Sequence, residues 1–372
     1  MSHRQSPPPS LAHQGIALAR AGAVLAPQAP APAGPPGPVA RLGTPSHRVP
    51  KGGIRLRGLL RGLLALLTLA GAPLSAPAQT YPFALMGDTP YSDYERQKLP
   101  KLLTAVAATR PAFLIHVGDI KSSNESCAAP LLTARRDLLN AYPGALIYTP
   151  GDNEWTDCRK LTAGHFEPEE RLDKLRQLFF PAPHSLGRQP LALERQSPAY
   201  PENLRWRLGP VLFITLNLPG PDNHYGPGPA PSSEYLAREA ANQAWLAEAF
   251  RLAQEGHLAG LVIATQADPA LEDFARGMGH RGFKALLTQL QDATERFPGQ
   301  VVLAHGDTHV MRIDHPLRFR EGPRRGQPLT NFTRVETYGS PFMGWISGQI
   351  DPRDPALFHF AAHPWPKVPL LP

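Results

Sequence analysis

Apolar residues recur in short runs along the chain, and helical patterns separate several of the runs. The runs have the length of β-strands and lie at residues 83–86, 112–117, 145–148, 211–216, 258–264 and 301–304. Apolar positions at helical spacing predict helices over 99–107 and 283–290, and two more are predicted over 169–179 and 234–253. Strands that alternate with helices predict an α/β fold covered on both faces.

The pattern changes after residue 310. Short strand-like pieces at 310–313, 332–337, 344–349 and 357–360 are separated by turns, and we expect them to complete a second, more antiparallel sheet. Two stretches, 181–201 and 219–231, are rich in Pro and Gly and predict long surface loops. Residues 79–372 are predicted to form a single domain, close to the upper size of one core.

The first 78 residues predict a leader rather than a folded unit. Residues 1–50 consist mostly of Ala, Pro, Gly, Ser and Arg and cannot bury enough apolar surface, so they predict a disordered segment. Residues 51–78 have the order of a signal peptide: basic residues, an apolar stretch at 62–72, and Ala76-Pro77-Ala78. We expect cleavage after Ala78 and export to the periplasm or the medium, with no stable membrane anchor left; an uncleaved anchor is the alternative.

The leader is also longer than the usual span of about 15 to 30 residues. A start site assigned too early explains the excess, and a start near Val49 would remove it.

Charge argues against a nucleic-acid platform. The chain has 38 Lys and Arg residues against 31 Asp and Glu, but eight of the basic residues and none of the acidic ones lie in residues 1–78. The remainder is therefore nearly neutral and has no broad basic surface for a polyanion. The sequence leaves the oligomeric state open.

Only two cysteines are present, Cys127 and Cys158. In an oxidising compartment they are expected to form one disulfide, and two unpaired buried thiols are the alternative.

Four Gly-Asp dipeptides carry the candidate chemistry. Each follows an apolar run, and their aspartates are Asp88, Asp119, Asp152 and Asp307. Because the carboxyl ends of strands share one edge of an α/β sheet, we expect the four carboxylates to converge. Clustered carboxylates repel one another unless a cation neutralises them, so the pattern predicts a metal site.

At these positions the sequence resembles the calcineurin-like metallophosphoesterases. The matching segments, in order, are GDTPY (87–91), GDIK (118–121), GDNEW (151–155), TQADP (265–269) and GDTH (306–309). The resemblance implies a four-layer αββα sandwich with mixed sheets. It also implies two divalent cations that bind a small phosphate ester and activate a water.

The resemblance assigns roles residue by residue. Asp88 and His309 would bind the first metal, Asp119 would bridge, and Asp152 and Asp307 would bind the second. Gln266 stands in for the lone His of the family pattern as an amide-oxygen ligand, with Asp268 as the alternative ligand. Asn153, at the position of the family's usual general acid, is predicted as a ligand and, with His309, as a catalytic residue.

The chain departs in a systematic way from the residue types of the family's motifs. Pro90, Asn153 and Asp307 replace histidines, which leaves a site of mostly oxygen donors and favours Mn or Mg over Ca or Zn. Because Asn153 cannot donate a proton, the leaving group would need His165, His224 or a water. The alternative function is a catalytically silent protein of this fold that binds a cation or an envelope ligand.

Overall fold

The computed structural model describes residues 79–365, so the predicted leader at 1–50 and signal peptide at 51–78 lie outside the described residues. The strands are β1 (Tyr81–Met86), β2 (Leu114–His116), β3 (Leu146–Tyr148), β4 (Glu194–Ser197), β5 (Tyr200–Leu208), β6 (Val211–Thr215), β7 (Gly260–Ala264), β8 (Gln300–His305), β9 (Arg312–Asp314), β10 (Phe332–Glu336), β11 (Gly344–Ile350) and β12 (Phe358–Pro364). The α-helices are α1 (Asp93–Ala108), α2 (Ala129–Asn140), α3 (Pro168–Phe179), α4 (Ser233–Glu255), α5 (Leu271–Ala275) and α6 (Arg281–Arg296).

The strands form two mixed sheets. The first has the order β12-β11-β1-β2-β3, with β1, β2 and β3 parallel and β11 and β12 antiparallel. The second has the order β4-β5-β6-β7-β8-β10-β9, with β6, β7, β8 and β10 parallel. Parallel strands point their carboxyl ends to one edge, so the loops after β1, β2, β3, β7 and β8 are the ones available to build a site.

The two sheets pack face to face through aromatic side chains. Phe213 of β6 contacts Phe83 of β1 edge-on, with ring centroids 5.3 Å apart, and also contacts Phe113 and Trp206. Helices α4 and α6 pack on the second sheet through a separate apolar cluster, and α1, α2 and α3 add their apolar faces to the core around the first sheet. The architecture is helices, sheet, sheet, helices, which confirms the predicted four-layer αββα sandwich.

Two expectations from the local pattern are wrong. The segment 181–201 is not one loop, because it contains β4 and the start of β5. Pro201 is tolerated in β5 because it lies beside a register shift in the pairing with β4 and before the first residue paired with β6, Arg205. The pieces after residue 310 do not all complete the second sheet: β9 and β10 extend it, whereas β11 and β12 complete the first.

Among residues 79–365 no helix is both long enough and apolar enough to cross a membrane.

Candidate metal centre

The strand-end loops of both sheets meet at one place. Gly87-Asp88 follows β1 and Gly306-Asp307 follows β8, and the backbone N–H of Asp307 donates to Asp88 Oδ1 at 3.0 Å. Two glycines permit the close approach. A Cβ on Gly306 would lie 2.0 Å from Asp88 Oδ2, and one on Gly151 would lie 2.0 Å from Asp119 Oδ1. Larger residues at either position would separate the loops.

Four of the seven predicted site residues have a left-handed backbone. Their φ angles are 51° at Asp88, 58° at Asp119, 82° at Asp307 and 63° at His309. Residues other than glycine adopt this conformation at a cost, and such residues concentrate at functional sites. The strained positions therefore coincide with the residues that the sequence singled out.

Asp88, Asp119 and Asp152 are buried and Asp307 is partly exposed, and the four carboxyl groups influence one another. Burial raises the pKa of Asp88 and of Asp119 well above the ordinary value, and neighbouring carboxylates add to the increase. Burial and then the charge of Asp307 raise the pKa of Asp152 to about 8. Asp88 Oδ2 has no hydrogen-bond donor. A cluster of this kind is stabilised in its ionised form by a divalent cation.

Asp119 is the most heavily hydrogen-bonded of the four. Its Oδ2 accepts from the Tyr91 hydroxyl at 2.7 Å and from Asn153 Nδ2 at 2.6 Å, and its Oδ1 accepts from the Asn153 backbone N–H at 3.2 Å. Asn153 Nδ2 also donates to the Tyr91 hydroxyl at 2.8 Å. The three residues form a closed triangle of hydrogen bonds.

Asp152 and Asp307 converge on Gly220. A Cβ on this glycine would lie 3.2 Å from Asp307 Oδ1 and 3.4 Å from the carboxyl carbon of Asp152. Gln266 Oε1 accepts from the Gly220 backbone N–H at 3.0 Å, so its carbonyl holds the Gly220 loop in place. Asp307 Oδ2 in turn accepts from the backbone N–H of Asp268 at 2.9 Å.

His309 lies on the other side, near Asp88. Its Nδ1 donates to the Ser340 carbonyl at 2.6 Å, and its Nε2 lies 3.8 Å from Asp88 Oδ1. The Ser340 bond leaves Nε2 with a lone pair directed to the Asp88 side, which suits a metal ligand.

The structure thus brings all seven predicted residues into one cluster, although their roles as ligands stay predictions. The donor set of carboxylates and one imidazole fits a divalent cation, as does the unpartnered Asp88 Oδ2. Within residues 79–365, however, no group of three or more His, Cys, Asp or Glu side chains is placed so that it could hold a metal ion.

Sequence reasoning gave no role to Tyr91 and little weight to Glu154. Glu154 is fully buried, and its Oε1 accepts from the backbone N–H groups of Asp119 and Gly151 and from the Tyr148 hydroxyl. It therefore ties the second motif loop to the third. Its only signal in the sequence is its place three residues after Gly151, where an acidic residue can accept backbone N–H groups.

The predicted disulfide between Cys127 and Cys158 is confirmed. Both sulfur atoms are buried and lie 3.6 and 3.8 Å from the carbonyl oxygen of Asn153. The bridge therefore packs directly under the loop that carries Asp152 and Asn153.

The two histidines proposed as proton donors differ in position. His224 lines a cavity of about 170 Å³ that is also bordered by Gly220, Asp157 and Arg159. His165 does not line this cavity, and its Nδ1 donates to the Arg159 carbonyl. Gly220 also lies beside Asp152 and Asp307, so of the two histidines it is His224 that shares a cavity with a residue next to the carboxylate cluster.

His224 is held by a partly buried ion-pair network. Its Nδ1 lies 3.0 Å from Glu234 Oε2, and Glu234 also pairs with Arg238. Burial opposes ionisation of Glu234, but the hydrogen bonds from His224 and Arg238 lower its pKa to about 2. The carboxylate therefore stays ionised and orients the imidazole.

No family model matches this sequence, and no similar curated protein was found. Several solved structures are similar. A dimetal phosphatase from Danio rerio is 11% identical, with 76% of this chain and 96% of that one covered and a TM-score of 0.47. A purple acid phosphatase from yellow lupin is 12% identical, with 73% of this chain and 50% of that one covered and a TM-score of 0.41. A phosphopantetheinyl hydrolase from Mycobacterium tuberculosis is 17% identical, with 70% of this chain and 89% of that one covered and a TM-score of 0.36.

Proposed function

We propose that this chain is a metal-dependent phosphoesterase that hydrolyses small phosphate esters. The observation that supports the proposal is the meeting of four aspartates from four strand-end loops, three of them buried, with Asp88 accepting a hydrogen bond from the backbone N–H of Asp307. Buried carboxylates without a counter-charge are costly, and a divalent cation is the simplest compensation. The oxygen-rich donor set favours Mn or Mg.

When bound, the cation supplies positive charge that attracts phosphate oxygens and makes a water more acidic. The chain's own residues supply orientation and proton transfer. Asp152 and Asp307 would hold the cation beside Gly220, where the adjoining cavity admits the ester. His224 lines that cavity, and its Nδ1 is fixed by Glu234, so in this proposal its Nε2 would protonate the departing alcohol.

A second candidate function is a catalytically silent protein that binds a cation. The specific observation in its favour is that Asp119 is already occupied by three hydrogen bonds, from Tyr91 and Asn153. We also propose that the protein is exported, because the Cys127–Cys158 disulfide is typical of an oxidising compartment.

Hydrolysis of chromogenic phosphate mono- and diesters by the purified full chain tests the proposal. Chelator should abolish turnover, and Mn or Mg should restore it. Asp307→Asn, which keeps the shape of the side chain but removes its charge, should not recover with any metal. Asp292→Asn, on the exposed side of α6, is the matched control and should recover fully. If the wild type hydrolyses none of the esters with any of the metals, the result would favour the cation-binding alternative.

A further inference from the structure

Basic side chains line a cavity beside helix α6. The cavity has a volume of about 500 Å³ and lies between α6, the turn after α5 and the segment that joins β9 to β10. Its cationic lining residues are Arg276, Lys284, Arg318, Arg320 and Arg325. None of the residues that line it is acidic, and none is one of the seven predicted site residues. This α6 basic cavity is therefore a separate feature from the carboxylate cluster.

Most of the positive charge in the cavity has no carboxylate partner. Arg276 pairs with Asp273, and Arg320 pairs with Asp292 at 2.6 Å. Within the described part of the chain, no ion pair involves the other three cations, Lys284, Arg318 and Arg325. Five cations against two carboxylates leave three charges of one sign on a single cavity. A cleft lined by one sign of charge concentrates counter-ions of the other sign.

The wall that carries two of the arginines is fixed to α6 by hydrogen bonds. The buried Gln291 donates from Nε2 to the Arg318 carbonyl at 2.6 Å, and Glu295 Oε1 accepts from the Arg320 backbone N–H at 3.0 Å. Arg318 Nη1 also donates to the Gly326 carbonyl at 3.0 Å, which closes this segment on itself. An anion therefore meets a backbone that is already held in place, so binding does not have to order it.

The chemistry of the lining residues indicates the kind of anion. A guanidinium group matches the oxygens of a phosphate or carboxylate with two parallel hydrogen bonds. A phosphate group on a side chain carries about −1.5 to −2 charges and three acceptor oxygens, so two neighbouring phosphates would neutralise three cations. The volume of the cavity also lies within the range of about 300 to 1,000 Å³ that is typical of small-molecule sites.

We propose that the α6 basic cavity binds a small polyanion with closely spaced phosphate groups, either free in solution or as the head groups of a lipid surface. The inference requires no metal and no ester hydrolysis, so it is independent of the proposed function.

Calorimetric titration of the full chain with sodium tripolyphosphate tests the inference. Divalent ions are removed first, so that no cation at the carboxylate cluster can hold the probe. We expect one tripolyphosphate per chain, with weaker binding at higher salt because exposed charges are screened. The double variant Lys284→Gln and Arg325→Gln removes two of the unpaired cations and should weaken binding by at least about ten-fold.

A second double variant, Lys101→Gln and Arg188→Gln, is the matched control. It removes one lysine and one arginine from exposed positions that do not line the cavity, and it should bind tripolyphosphate as the wild type does. Circular dichroism compares both double variants with the wild type, and these exposed substitutions should leave the fold intact.

Sedimentation with vesicles distinguishes the two sources of phosphate. Binding to phosphatidylglycerol vesicles but not to phosphatidylcholine vesicles, with loss in the cavity variant, would support the inference with a lipid as the source. Binding of tripolyphosphate alone, lost in the same variant, would support it with a free polyanion. If the wild type binds neither probe, or if the cavity variant binds as tightly as the control variant, the inference is wrong.

Discussion

Replacement of Glu154 should separate two roles of a buried carboxylate. Glu154 has no solvent exposure, and its Oε1 accepts three hydrogen bonds, from Gly151 N at 2.8 Å, Asp119 N at 3.0 Å and the Tyr148 hydroxyl at 2.7 Å. Its charge also contributes to the raised pKa values of Asp88, Asp119 and Asp152. Its hydrogen bonds therefore stabilise the fold while its charge opposes the neighbouring carboxylates.

The two substitutions Glu154→Ala and Glu154→Gln should differ in size. Alanine leaves three buried donors without an acceptor, at about 1 to 3 kcal/mol each. A water can enter the space and accept a hydrogen bond from some of these donors. We therefore expect the free energy of unfolding to fall by about 3 to 5 kcal/mol. Glutamine keeps an acceptor oxygen and removes the repelling charge, so we expect a change within about 1 kcal/mol.

Urea denaturation of the cation-free protein, followed by tryptophan fluorescence, measures both effects. Trp155 is fully buried next to Glu154 and provides the signal. Glu248→Ala serves as the control, because Glu248 forms only partly exposed ion pairs and its removal should cost about 0 to 1 kcal/mol. Equal shifts of the midpoint for the alanine and glutamine variants would refute the hydrogen-bond argument.

Three further predictions concern the disulfide, pH and proton transfer. Replacing both Cys127 and Cys158 with Ala opens a link between residues 31 apart and should lower the free energy of unfolding by about 3 to 4 kcal/mol in denaturation experiments; an unchanged midpoint would contradict this. Because the pKa of Asp152 is raised from 3.8 to about 8, the cation-free fold binds this proton more tightly than the unfolded chain does. Its stability should therefore fall as pH rises from about 4 to about 8, and saturating Mn²⁺ should remove that fall. His224→Asn should slow hydrolysis of alkyl phosphates by about 10² to 10⁴ and that of nitrophenyl phosphates much less, since nitrophenolate leaves without a proton; equal loss on both substrates would exclude His224 as the proton donor.

Much of the fold could be predicted from local patterns. The core strands of both sheets are continuous apolar runs, so β1, β6, β7 and β8 are apparent in the sequence. Strands β4 and β5 are not, because charged residues interrupt their apolar pattern: Arg205 of β5 pairs with the exposed Glu194 of β4, and the buried Glu202 of β5 pairs with Arg176. The pairing of β11 with β1 depends on contacts between distant segments, and no local pattern encodes such a register.

In the candidate site, too, local sequence predicts some residues but not the contacts between distant segments. Its aspartates could be located because a Gly-Asp pair after each apolar run reflects the turn at a strand end. The hydrogen bonds of Tyr91 could not, since they depend on how the first, second and third loops pack together. The sequence predicts Gln266 as a metal ligand. It does not predict the hydrogen bond from the Gly220 N–H to the Gln266 carbonyl, because residues 220 and 266 meet only in the folded chain.

The strand order of the first sheet also governs when folding of the protein can be completed. Strand β1 is made early, yet one of its two neighbours is β11, and Tyr81 pairs with Ile350. Contacts this distant in sequence slow folding, because a long loop must close before they form. Until the segment around residue 350 can pair with it, β1 therefore has one unpaired edge, which is a template for association with other chains. Holdase chaperones that cover this edge should matter more for the yield of this protein than its final stability would suggest.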